Sequence, residues 1–199
     1  MIVVVGVPLT DVWAAADSAE RVTQALLGEP ALVLDERGDW ARVALPWQPG
    51  PDPRGYLGWV RRAHLRAGHP MVQAAPGGPP DVLDAARRLL GAPYLWGGLG
   101  PAGIDCSGLV HLAYRQRDTR VPRDAADQHA AAERVPIPDA GPGDLFFFAR
   151  ADGHVVHVGL VTESGGMLHA GEEEGVVEGP VSPSRRAHLI AAGRLCERS

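Results

Sequence analysis

The sequence predicts an α+β protein in two parts, a small β-barrel followed by an α+β domain built on an antiparallel sheet. Three observations predict it. Short apolar runs separated by turn residues fill residues 1–67. A Gly- and Pro-rich stretch from Gly68 to Pro80 then reads as a linker. From residue 81 to 199, helical patterns come first and consecutive strand patterns follow, the order expected of an α+β domain.

In the first part, Val3-Val4-Val5 reads as a strand. Two more runs, 31–35 and 40–45, flank Glu36-Arg-Gly-Asp39 as a hairpin, with Gly38 able to take positive φ. After a Pro/Gly loop, 55–60 reads as another strand. About five short strands with turns between them fit a barrel, with Trp13, Trp40 and Trp59 in its core or on its rim.

In the second part, Asp81 caps a helix over 82–90, whose apolar stripe is Val82, Leu83, Ala86, Leu89 and Leu90. A second helix starts at Cys106, and Arg123-Asp124 opens an alanine-rich helix to about Arg134. Strands follow at 144–149, 154–162, 167–170, 175–178 and 189–195.

The chain has 199 residues, 45% of them hydrophobic and 22% charged, with a net charge of −5. No basic tract stands out, which argues against nucleic acid and anionic membrane as partners. The apolar N-terminus lacks a preceding Lys or Arg and reads as a strand rather than a leader, so a cytoplasmic location is expected. Cys106 and Cys196 do not make a disulfide framework.

Cys106 stands in Asp105-Cys-Ser-Gly-Leu109, after a Gly/Pro-rich approach and at a helix start. Helix N-termini favour anions, and a thiol attacks as its thiolate. Two readings stand at this point, a nucleophile and an inert buried thiol. A nucleophile needs a base, and the base needs an orienting partner. Strand alternation over 154–162 puts Val155, His157, Gly159 and Val161 on one face and His154, Val156, Val158 and Leu160 on the other. Gly159 would leave room for the Cys helix. His169, on the next strand, could hydrogen-bond His157 edge to edge and fix its tautomer. A metal site from Cys106, His154, His157 and His169 lacks tight ligand spacing, so no metal and no cofactor are expected.

Taken together, Tyr94-x-Trp-Gly-Gly, Asp105-Cys-Ser-Gly, Pro142-Gly-Asp-Leu-x-Phe-Phe, His157-Val-Gly and Leu168-His-Ala resemble the NlpC-type family of papain-like cell-wall cysteine peptidases over about residues 81–195. The resemblance implies Cys106 as nucleophile, His157 as base, His169 as third member and Tyr94 near the nucleophile and oxyanion. The backbone N–H of Cys106 would join the oxyanion hole.

Thr23-Gln-Ala-Leu-Leu-Gly-Glu29, Gly38-Asp-Trp40 and Gly55-Tyr-x-Gly-Trp-Val60 resemble the bacterial SH3-like domain attached to γ-D-glutamyl-L-diamino-acid peptidases of the dipeptidyl-peptidase VI type. Pro122-Arg-Asp-Ala125 resembles a motif of the same subgroup. This implies that Glu29, Tyr56 and Asp124 hold the free amino group of L-Ala in a murein peptide. Asp105 and Ser107, on either side of the nucleophile, are grouped with the substrate-binding residues.

The expected function is therefore hydrolysis of the γ-D-Glu–diamino-acid bond in free murein peptides. The rivals are an amidase or acyltransferase without the free-amine requirement, and a non-catalytic wall-peptide binder. The acidic run Glu172-Glu-Glu174 reads as a solvated turn.

Overall fold

Nine buried side chains of the first part, Val3 and Val5 through Val43 and Val60, share one apolar cluster, which curls its strands around a single core. The computed structural model describes residues 2–71 and 81–195. Most of the expected linker, and Cys196, lie outside the described residues.

The first part contains β1 (Ile2–Val5), β2 (Leu9–Trp13), β3 (Arg21–Leu26), β4 (Pro30–Arg37), β5 (Trp40–Leu45), β6 (Tyr56–Arg61) and β7 (Leu65–Arg66). They form one seven-stranded sheet in the order β3-β2-β6-β5-β4-β1-β7, and every pairing is antiparallel. This is the SH3-like barrel. The hairpin turn lies where expected, with Gly38 at φ 54°. Arginines lie over the tryptophans: Arg61 is 3.9 Å from the ring of half-buried Trp40, and Arg37 is 5.0 Å from the ring of Trp59, which is buried. Guanidinium groups cover aromatic faces while keeping contact with water.

The second part begins with α1 (Val82–Arg87), capped by Asp81, whose carboxylate accepts from Asp84 N. The helix is shorter than expected. It stops before Leu90, which is exposed, because Leu90 falls in the tight turn leading to Gly91, where φ is 80°. The short strands β8 (Leu99–Gly100) and β9 (Gly103–Ile104) lead into α2 (Cys106–Arg115). α3 (Ala125–Ala131) follows, and then β10 (Glu133–Val135), where a continued helix was expected. β10 pairs with β15 (Leu189–Arg194) along the sheet edge; tertiary pairing overrides helix propensity, a weak preference, at Glu133-Arg134-Val135. The remaining elements are β11 (Leu145–Ala149), β12 (Val155–Val161), β13 (Met167–Gly171), β14 (Gly175–Gly179) and α4 (Pro183–Arg186).

The six-stranded sheet runs β10-β15-β11-β12-β13-β14 and is antiparallel throughout. One face packs on α1 and α2 through Leu83, Leu109, Val110, Ala113, Phe147, Val158 and Leu160. Burying a side chain such as Leu109 stabilises by about 1.5–3 kcal/mol. The other face carries Phe146, Phe148, Val161 and Met167. A register shift opposite Phe148 and Ala149 breaks the expected alternation on β12. Val155 joins Val158 and Leu160 on the helix face, and Val156 turns out to solvent. Bulges reset the period-2 pattern in this way.

Candidate active site

Cys106 opens α2 under a dense polar cap. The carboxylate of Asp105 accepts from Gly108 N at 2.6 Å and from Gly97 N at 2.8 Å. Gly108 is required here: a Cβ would lie 2.5 Å from Gly98 O, so the glycine-rich approach is pressed directly onto the first turn. Arg123, fully buried, grips both oxygens of Asp105 at 2.9 Å. The same guanidinium donates to Ser107 Oγ, Gly98 O and Thr23 Oγ1. Gln128 Nε2 donates to Ser107 O. Asp105 and Ser107 are thus consumed in holding the helix start. They position the nucleophile rather than offer free groups to a substrate, which corrects their expected role.

β12 and β13 pair only at Leu160–Leu168 and Val161–Met167. Cys106 meets the sheet beside β12, where backbone hydrogen bonds from Val158 and Ser107 reach its sulfur. Val158 is the neighbour of His157. His157 Nε2 lies 3.1 Å from His169 Nδ1, the rings edge to face. The structure thus sets Cys106 against Val158, the residue after His157, and pairs His157 with His169. It corrects the reason given for Gly159, whose missing Cβ makes room for Met167 and the Cβ of His169, not for the Cys helix. Tyr94 is half-buried at the same place. Its hydroxyl is pushed up by burial, then by the charges of Cys106 and Asp105.

Burial pushes the Cys106 thiol up to about 12, and Asp105 adds to the rise; backbone donors and Arg123 oppose it. Burial lowers His157 to about 3, helped by His169 and Arg185. His169 falls to about 4 for the same first cause, with Arg185 next. The resting site thus holds a thiol beside neutral imidazoles. The helix N-terminus, expected to favour the thiolate, is outweighed by desolvation.

Arg185, which the sequence reading left aside, donates from Nη1 to His169 Nε2 at 2.7 Å and pairs through Nη2 with Glu174 at 3.2 Å. Glu174 thus has a partner, so the acidic run is more than a solvated turn.

At the barrel side, Tyr56 OH donates to Asp124 Oδ2 at 2.9 Å. Burial raises both groups first, and Asp124 raises Tyr56 further. Glu29 is placed differently from expectation. It is fully buried, accepts from Leu26 N and Gln48 Nε2, and forms an ion pair with Arg115 at 2.8 Å. A carboxylate already satisfied in this way is no open ligand for an ammonium. Arg115 and Arg123 were missed as functional candidates because arginine in a lone sequence reads as surface; the one signal was the place of Arg123 inside Pro122-Arg-Asp-Ala125.

Among the described residues no group of three or more His, Cys, Asp or Glu is arranged to hold a metal, and no helix is long and apolar enough to cross a membrane.

Residues 91–192 match the NlpC/P60 family model. The chain belongs to the NlpC/P60 family. It is a cysteine peptidase of that cell-wall family. Residues 12–50 match the bacterial dipeptidyl-peptidase Sh3 domain, so this NlpC/P60 protein carries its SH3 domain in front. A γ-D-glutamyl-L-lysine dipeptidyl-peptidase of Bacillus subtilis (strain 168) is 30% identical over 74% of this chain and 71% of that protein. One of the same name from Bacillus cereus is 26% identical over 78% and 69%. The crystal structure of an NlpC/P60 family protein from Bacillus cereus superposes with a TM-score of 0.88 over 98% of this chain and 99% of that one; at 21% identity this bears on the fold alone.

Proposed function

We propose that this NlpC/P60 protein hydrolyses the γ-D-Glu–diamino-acid bond of murein peptides that begin with a free L-Ala, and that it works in the cytoplasm on recycled wall peptides. The observation that carries this reading is the Tyr56–Asp124 pair, a half-buried acid and phenol 2.9 Å apart joining the barrel to the residue after Arg123. An ammonium entering this site gains a carboxylate and a phenol oxygen as acceptors, with Val22 O 3.4 Å from the phenol. An acylated nitrogen brings no charge to the Asp124 carboxylate, which then keeps only its hydrogen bond from Tyr56.

In the proposed reaction, the Cys106 sulfur attacks the γ-carbonyl carbon of D-Glu as His157 takes the thiol proton. His157 Nε2 is occupied by His169, so Nδ1 is the nitrogen that serves. The tetrahedral oxyanion accepts from the Cys106 N–H, with Tyr94 beside it. The carbon–nitrogen bond then breaks, and His157 returns the proton to the leaving amine. Water, deprotonated by His157, hydrolyses the thioester and regenerates the thiol.

The test is hydrolysis of L-Ala-γ-D-Glu-diaminopimelate beside its N-acetylated twin. Cleavage of the free peptide alone is expected. Equal cleavage of both keeps the cysteine peptidase but removes the amine clamp and the recycling role; cleavage of neither favours the amidase or the binding module.

A further inference from the structure

Beside His157 lies a cavity of about 370 Å³, walled by Phe148 and Val156 and rimmed by Arg150, Arg185 and His188. Its place follows from the proposed reaction. The acyl part of the substrate extends toward Tyr56 and Asp124. The leaving amine must take its proton from His157. The residue that leaves therefore lies against His157, where this cavity opens. Phe148 and Val156 suit a methylene chain. The rim is basic: Arg150 forms no ion pair among the described residues, while Arg185 shares Glu174.

We propose that this cavity is the subsite for the leaving diamino acid, and that Arg150 and Arg185 select one whose side chain ends in a carboxylate, meso-diaminopimelate, over lysine. The proposal rests on the peptidase reading above. The end of a diaminopimelate side chain bears a carboxylate and an ammonium on one carbon. The guanidiniums match the first, and Glu174 beside Arg185 matches the second. A lysine side chain brings the ammonium that Glu174 can take but no anion for Arg150 or Arg185, and it sets a like charge beside them.

Arg185 also ties this recognition to the base. A guanidinium only donates, so its bond to His169 Nε2 leaves the His169 proton on Nδ1, donated to His157 Nε2. His157 then carries its own proton on Nδ1 and cannot accept one there from Cys106. A substrate carboxylate that draws Arg185 away frees the opposite tautomer, with His157 donating to His169.

The experiment compares L-Ala-γ-D-Glu-meso-diaminopimelate with L-Ala-γ-D-Glu-L-lysine on the full chain, following release of the free diamino acid. The diaminopimelate peptide should have the higher kcat/KM by about ten-fold or more, the worth of one charge-assisted hydrogen bond. Arg150→Glu should reverse the preference through KM. Arg185→Gln should raise kcat on the lysine peptide toward that on the other. Equal or reversed preference in the wild type, or a preference that survives Arg150→Glu, overturns the subsite and leaves the peptidase reading standing. A kcat on the lysine peptide that does not rise in Arg185→Gln overturns the coupling. Cleavage of neither peptide overturns the peptidase reading and the subsite together.

Discussion

Arg123 and Asp105 meet in a two-armed ion pair, 2.9 Å on each arm, under the first turn of the helix that carries Cys106. The guanidinium is fully buried and its fifth donor position reaches back to Thr23 in the barrel. One side chain thus sets the nucleophile's helix and the seat of the barrel together.

Replacing Arg123 with Met leaves the Asp105 carboxylate buried without its cation. Removing one partner of such a pair costs about 3–5 kcal/mol. Urea unfolding of Arg123→Met should show a midpoint lowered accordingly. Arg123→Lys should recover only part of the loss, because an ammonium cannot grip both oxygens in a fork.

Asp124 and Glu29 should separate cleanly. Asp124→Asn removes the open carboxylate and should raise KM for the free-amine peptide by about ten-fold or more, with the acetylated twin little affected. Glu29→Gln strands Arg115 and should lower the unfolding midpoint instead. A Glu29→Gln protein with normal stability and a large KM defect would return Glu29 to the amine clamp.

The thiol should behave as a buried, protonated group. With Cys106 pushed up to about 12, alkylation by iodoacetamide in the absence of substrate should be slow at neutral pH. The rate should climb about ten-fold per pH unit into the alkaline range, as the thiolate fraction does. A rate already at its plateau near pH 7 would mean a preformed thiolate–imidazolium pair.

Acid should unfold the protein through its histidines. His111 and His157 are lowered to about 3 and His169 to about 4, burial first in each case. Folded-state values below the unfolded one mean that the unfolded chain binds more protons between those values and about 6.5. Their contribution to stability is complete above about pH 6.5 and declines as pH falls toward 3. Unfolding near pH 5 should take up about three protons from these groups, read from the pH dependence of the urea midpoint.

The strands, the helix start at Cys106 and the His157–His169 pairing were legible because each is local or periodic, and the edge-to-edge histidines need only adjacent strands. The cap at Asp105 reads in the sequence as a substrate contact instead, because its partner Arg123 lies eighteen residues away. The edge strand at Glu133–Val135 was not legible, since its reason is its partner β15, nearly sixty residues away in the chain. Nor was the β12 irregularity, which is settled by the register against β11.

By itself the sequence determined the two-part α+β architecture and the residues that can do thiol chemistry, because backbone periodicity and short motifs are encoded within a few positions. Only the tertiary structure decided how the charged residues are spent. Glu29 is neutralised by Arg115, Asp105 by Arg123, and His169 faces Arg185. The physical reason is desolvation. A carboxylate or guanidinium is tolerated in the interior only where a partner meets it, and the partner comes from a distant part of the chain that folding alone brings near.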